Sequence, residues 1–365
     1  MEKRAVRLRR LRLSFLRRAE AFLVTSPENR RYLSGFPPED VSLTESAGAL
    51  LITKKEAFLL TDPRYQEEAR ACAPLFEPRI YRKGLVLELK SLLSDLGVKS
   101  LLFEPPYVSF ALFRALERRL SGVKLLEAPP LVERLRAQKD EEEVQAIKES
   151  LTIAEGILAE VSALIRPGVT EKELSARIIN LSYERAEGPS FPPIVAGGPN
   201  AARPHAEPSE RKLKAGEPVI IDMGVKWRGY CSDITRTYCV GSPDERFSQV
   251  YRLVLAAKRE AEARIAAGVP ARAPDLAARE VFRREGLERH FWHSLGHGVG
   301  LAIHEAPSLS FRSRKHLRPG HVVTVEPGLY FPDWGGVRLE DMVLVKEGGF
   351  LRLNTLGFLN FGEAD

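Results

Sequence analysis

Four carboxylates sit inside two apolar, hairpin-like stretches of this 365-residue chain, and that pattern limits how it can fold. Val219-Ile220-Ile221 reads as a buried strand running into Asp222. Lys226-Trp227-Arg228-Gly229 reads as a turn, and Tyr230 to Val240 as a returning strand that carries Asp233. A turn centred on Trp227 and Arg228 places Asp222 directly across the ladder from Asp233, with Cβ atoms about 4.5–5.5 Å apart. The device recurs further on. His321 to Phe331 is an apolar strand carrying Glu326, Pro332 to Gly336 is a turn, and Val337 to Val345 returns with Glu340 facing Glu326. Arg338 lies two residues before Glu340, so strand alternation puts it on the same face. Like charges so placed beside apolar side chains are unfavourable unless a cation lies between them or a proton is retained.

Four carboxylates and a neutral histidine bring a charge that two divalent cations would balance. Oxygen-rich ligation suits Mn2+, Co2+, Fe2+ or Zn2+ and does not choose among them. All seven histidines lie between residues 205 and 321. His297 is flanked by glycines in Gly296-His297-Gly298-Val299-Gly300, which lets backbone approach a site closely. No lysine accompanies that run, so it is not a phosphate loop. His293 precedes it, His304 follows in His304-Glu305-Ala306-Pro307, and His205 lies in a proline-rich loop from Pro199 to Pro208. His290, His316 and His321 read as surface or structural residues.

At about 150 residues per domain the length allows two domains. The character of the chain changes near residue 135, which divides it into residues 1–134 and 135–365. The class is α/β (α+β). In the first part, Lys3 to Arg18 carries Leu8, Leu11 and Phe15 at helical spacing. Strands are expected at 21–25, 47–53 and 56–60, helices at 63–72, 85–96 and 108–120, and a turn at Ser26-Pro27. The second part opens with Asp140-Glu141-Glu142-Glu143, acids suited to a helix start, and that helix runs to about Leu164. Thr170 with Glu173 forms a capping-box pattern for the next helix. The net charge of +6 is not clustered at the hairpins, so no nucleic-acid partner is expected. No apolar run approaches the ~18–20 residues of a membrane span. Three cysteines without CxxC spacing fit a reducing, cytoplasmic setting.

These residues resemble the pita-bread-fold metallopeptidases, and within them the Xaa-Pro aminopeptidase and prolidase branch. The family's ligand order of Asp, Asp, His, Glu, Glu is matched by Asp222, Asp233, His297, Glu326 and Glu340. Ten residues separate the two aspartates, as in the family. Residues 22 to 69 look like the small creatinase-like N-terminal domain of the same branch, so the resemblance spans the chain apart from Met1 to Arg18. It implies a small α/β N-terminal domain followed by a pita-bread catalytic domain. It also implies two divalent metal ions per subunit, Mn2+ or Co2+ ahead of Zn2+ or Fe2+, and a homodimer.

By the same resemblance, the substrate is a peptide with proline at the second position and the reaction is hydrolysis of the bond before that proline. Glu326 is implied as proton shuttle, His304 as oxyanion donor, and His205, His293 and Arg338 as substrate-binding or orienting residues. His205 is also implied to take part in catalysis. Some prolidases carry an arginine immediately after the HExP motif, suited to a dipeptide's carboxylate; here that position is Ser308. This tilts the reading toward an Xaa-Pro aminopeptidase. The alternatives are, in order, a prolidase, a methionine aminopeptidase and a non-catalytic binding module of the same fold.

Overall fold

Short apolar runs punctuated by proline and glycine make six strands before residue 130. They are β1 (Ala21–Val24), β2 (Ala49–Thr53), β3 (Ala57–Thr61), β4 (Glu77–Ile80), β5 (Ser100–Phe103) and β6 (Lys124–Glu127). The computed structural model describes residues 2–37, 39–40 and 42–360. Contacts divide the chain into two units, Met1–Arg136 and Ala137–Asp365. In the first, the strands form one mixed sheet in the order β4-β3-β2-β1-β5-β6. Helix α1 (Glu2–Phe15) buries Leu8, Leu11 and Phe15, as its spacing predicts. Ser26-Pro27 is not a turn between strands. The Ser26 side chain caps α2 (Pro27–Ser34), and Pro27 occupies the first helical turn, where its missing N–H costs nothing. Helices α3 (Gln66–Cys72), α4 (Leu85–Asp95) and α5 (Phe110–Arg119) follow the expected segments. Strands β4 (Glu77–Ile80), β5 (Ser100–Phe103) and β6 (Lys124–Glu127) are not among the strands expected from sequence.

After α6 (Leu131–Ala137), the second unit opens on α7 (Glu141–Ser162) and α8 (Glu171–Arg185). Both start with the expected capping boxes, Asp140 with Glu143 and Thr170 with Glu173. They cover one face of a three-stranded sheet ordered β11-β8-β7, built from β7 (Ile194–Gly197), β8 (Pro218–Met223) and β11 (Ile234–Cys239). Between β8 and β11 lie the short β9 (Lys226–Trp227) and β10 (Tyr230–Cys231). Strand alternation sorts the side chains. Val219, Ile221 and Met223 pack with Ile147, Leu151, Leu158 and Ile178 of α7 and α8. Asp222 therefore faces the other way.

The second helix pair is α9 (Glu245–Glu262) and α10 (Arg272–Arg284). It packs on β12 (Gly296–Gly298), β13 (Glu305–Leu309), β14 (Val322–Val325), β15 (Gly328–Phe331), β16 (Gly335–Arg338), β17 (Asp341–Lys346) and β18 (Gly349–Arg352). Val323, Val325, Leu329, Val337, Val343 and Val345 join Phe247, Val254 and Phe282 in that core. Glu326, Arg338 and Glu340 have the opposite parity, so they face away from it.

Two details of the hairpins differ from the sequence reading. In the first, Asp222 pairs with Thr235 rather than Asp233. The turn centres on Arg228 and Gly229, both at positive φ (51° and 81°), which is the geometry a tight two-residue hairpin needs. The ladder slides by two residues, so both aspartates keep the same face. In the second, the register places Glu326 opposite Glu340 as expected, but each strand breaks at its glutamate. The backbone N–H of Glu326 donates to Leu295 O, and that of Glu340 donates to Thr235 O on the other hairpin.

Candidate metal centre

The two hairpins and β12 point their polar faces into one cavity of about 740 Å3. Its lining includes all nine residues singled out from sequence: Asp222, Asp233, His297, Glu326, Glu340, His205, His293, His304 and Arg338. Phe191, Pro192, Pro193, Ile194, Pro204 and Ile303 give it an apolar wall. Oxygen or nitrogen atoms of Asp233, His297 and Glu340 all lie within 4.8 Å of one another. His297 Nε2 is 3.6 Å from Asp233 Oδ2 and 3.4 Å from Glu326 Oε1.

The glycines beside His297 are required by space. A Cβ on Gly296 would stand 2.1 Å from Thr324 O, and one on Gly298 would stand 2.5 Å from Ala306 O. His297 Nδ1 lies 3.1 Å from Gly298 O, so the proton belongs on Nδ1 and the Nε2 lone pair faces the carboxylates. Burial pushes this imidazole down to about 4, so it is neutral at pH 7. A neutral imidazole with its second nitrogen held by a carbonyl is the form that ligates metals.

The carboxylates are strained against one another. Burial, then the neighbouring Glu340, Asp222 and Glu326, raise Asp233 well above the usual range. Burial, then Glu326 and Asp222, do the same to Glu340. Glu326 is pushed up to about 8, chiefly by burial. Asp222 is braced differently: its Oδ2 accepts from Arg338 Nη2 at 2.6 Å. Asp222 Oδ1 is buried and has no hydrogen-bond partner among the described residues. An orphaned carboxylate oxygen, three mutually repelling acids and a presented imidazole nitrogen together fit a cation and little else.

A partner set missed by the sequence reading holds this group. Thr235 Oγ1 donates to Glu340 Oε2 at 2.7 Å, and Thr324 Oγ1 donates to Glu326 Oε1 at 3.1 Å. Tyr330, fully buried, accepts from Arg338 Nη1 at 3.0 Å and donates to His293 Nε2 at 2.8 Å. The signal for Thr235 and Thr324 was available, because each lies two residues from a site acid on the same strand face. Tyr330, four residues from Glu326 and of the same parity, also lay within reach of the alternation rule. His304 stands outside the acid cluster, its ring 4.3 Å from that of His297, centroid to centroid. His205 is exposed on the cavity wall.

Residues 145–347 match metallopeptidase family M24, and residues 7–138 match the creatinase/prolidase N-terminal domain. This chain belongs to the M24 metallopeptidases. Its N-terminal match places it in the branch that carries the creatinase/prolidase domain, and it is a hydrolase by family. An Xaa-Pro dipeptidase of Pyrococcus furiosus is 33% identical over 331 residues, covering 90% of this chain and 92% of the relative. The solved Xaa-Pro dipeptidase from Bacillus anthracis superposes with a TM-score of 0.92 at 36% identity, covering 98% of this chain and 99% of that one. The X-Pro aminopeptidase from Thermotoga maritima superposes with a TM-score of 0.85, also at 36% identity, covering 93% and 96%. No helix of the described residues is long and apolar enough to cross a membrane.

The acid cluster has a measurable consequence for stability. Glu326 binds a proton in the folded chain up to about pH 8, whereas its ordinary value is 4.5. A raised acid makes the folded state lose stability as pH rises between those two values. Depressed histidines act in the opposite direction, since His297 and His321 fall to about 4 and His293 to about 3, from 6.5. Their effect is half complete at pH 6.5 and nearly complete about one unit higher, so the acids dominate only above about pH 7. Between about pH 7 and 8 the metal-free protein is expected to lose on the order of 1 kcal/mol per retained proton, a few degrees in Tm. Divalent cation should remove that slope, and a metal-free melting curve indifferent to pH across this window would contradict the argument.

Proposed function

We propose that this protein is an Xaa-Pro aminopeptidase, a metal-dependent hydrolase that removes the N-terminal residue from peptides with proline in second position. Asp222, Asp233, His297, Glu326 and Glu340 would hold two divalent cations, with Mn2+ or Co2+ the first choices. When bound, the metals supply Lewis acidity and lower the pKa of water at the site. The chain's own residues do the rest. Arg338 holds Asp222 Oδ2 and leaves Oδ1, which has no hydrogen-bond partner among the described residues, available to a cation. His304, neutral because burial lowers it, donates a ring N–H to the carbonyl oxygen as charge develops there. Glu326 accepts a proton at its carboxylate and passes it to the proline nitrogen as the peptide bond breaks. His293 is fixed by Tyr330, and the apolar wall from Phe191 to Ile194 suits the proline ring.

The observation that favours an aminopeptidase over a dipeptidase is the absence of a spare cation. Among the described residues lining the cavity, Arg338 is the sole Lys or Arg, and Asp222 and Tyr330 already occupy it. Burying a dipeptide's carboxylate without a partner is costly. The prolidase reading is favoured by the likeness to the Bacillus anthracis dipeptidase, where the superposition covers nearly both whole chains.

Chelator-stripped enzyme reloaded with Mn2+, Co2+ or Zn2+ separates the two. The substrates are an Xaa-Pro dipeptide, an Xaa-Pro-Yaa tripeptide and a Met-Ala-Yaa control. Metal-dependent cleavage of the tripeptide is expected. Cleavage confined to the dipeptide makes the protein a prolidase despite Ser308. No metal-dependent cleavage of either proline peptide sinks the proposal.

A further inference from the structure

Arg236 lies on β11 just past Thr235 and is absent from the cavity lining. Its side chain is 3% exposed. A guanidinium has five N–H donors, and each has an acceptor here. Nη1 donates to Thr235 O at 3.0 Å and to Glu340 O. Nη2 donates to Asp341 Oδ1 at 2.8 Å and to Leu356 O at 2.6 Å, and Nε donates to Gly357 O at 3.2 Å. One side chain thus fastens together both site hairpins and the segment after β18. The joint it braces is specific, because Thr235 and Glu340 already share two bonds, Glu340 N–H to Thr235 O and Thr235 Oγ1 to Glu340 Oε2.

We propose that Arg236 is a positioning residue for the metal centre: it sets the spacing between β11, which Asp233 immediately precedes, and Glu340 from behind the cavity, with the C-terminal segment as its outer clamp. The inference rests on the metal-centre reading above. The Phe358 ring covers the guanidinium, with Arg236 Cζ 4.4 Å from its centroid. Lys258 completes the buried network without touching the joint. Its Nζ lies 2.7 Å from Asp341 Oδ2 and also bonds Glu262, and it has no bond to Thr235 or Glu340. Lysine at 236 keeps the charge but cannot reach five acceptors, because it has three donors on one atom.

The test compares Mn2+ affinity, by competition with a chelator, in the full chain and three variants held well below their melting temperatures. Arg236→Lys is expected to weaken Mn2+ binding about 10–100-fold, the range for residues that orient metal ligands. Lys258→Met, a disruption of the same buried network, is expected to lower Tm while changing Mn2+ affinity less than about threefold. Phe358→Ala, which loosens the outer clamp and leaves Arg236 in place, is expected to weaken Mn2+ by several fold. Wild-type affinity in Arg236→Lys overturns the proposal, as does an equal loss in Lys258→Met. If Arg236→Lys does not fold, unchanged affinity in Phe358→Ala overturns it instead. Wild-type protein that binds no Mn2+ at this site removes the metal-centre reading itself, a result separable from all of these.

Discussion

Glu340→Ala is expected to abolish Mn2+-dependent peptidase activity, on the order of 1,000-fold or more, because in the proposed reading activation of water would depend on a metal pair that Glu340 helps to hold. Asp233→Ala should match it. The same variants should make the metal-free protein more stable, not less. Burial and the neighbouring acids hold both groups far above the usual carboxylate range, so each destabilises the empty site near neutral pH. Removing one relieves the others, a trade of stability against function that functional sites commonly show. The expected signature is therefore a raised metal-free Tm together with loss of the upward shift on adding Mn2+. Loss of the Thr235 Oγ1 bond to Glu340 works against that gain, so Asp233→Ala should show it more clearly. Full activity in either variant would end the dinuclear reading.

His304→Ala is expected to lower kcat about 100–1,000-fold, the cost of losing one donor aimed at developing oxyanion charge. Metal retention should change little, because His304 lies outside the Asp233–His297–Glu340 group. Its ring does pack on that of His297, so Mn2+ affinity must be measured in the same preparation. A fall in kcat with affinity intact assigns His304 to the reaction. A fall that tracks loss of metal assigns it instead to holding His297 in place, and an unchanged kcat removes it from the chemistry.

Much of this protein was legible without coordinates, for identifiable reasons. Capping boxes at Asp140 and Thr170 are local chemistry, satisfied within one turn, so sequence spacing suffices to find them. The shared face of Asp222 and Asp233 survived a wrong turn centre because strand alternation has period two and the slip was two residues. Glu326 and Glu340 were read as facing because their ladder keeps one register on both sides of the break. A glycine-flanked histidine signals close backbone approach, and the atoms that would collide with a Cβ confirm it.

What tertiary structure alone decided is what depends on contacts between distant segments. No spacing rule joins the Glu340 N–H to Thr235 O, or threads Arg338 through Tyr330 to His293. The five acceptors of Arg236 come from β11, the strand break at Glu340, β17 and the segment after β18, and all but Thr235 lie more than 100 residues from it in the chain. The sequence by itself determined which side chains share a face and which chemistry they can perform, because those follow from local periodicity and residue type. Their mutual distances, the orphaned Asp222 Oδ1 and the clamp behind Glu340 were decided by packing two helix-covered sheets around one cavity, since hydrogen-bond partners far apart in the chain are set by how sheets meet.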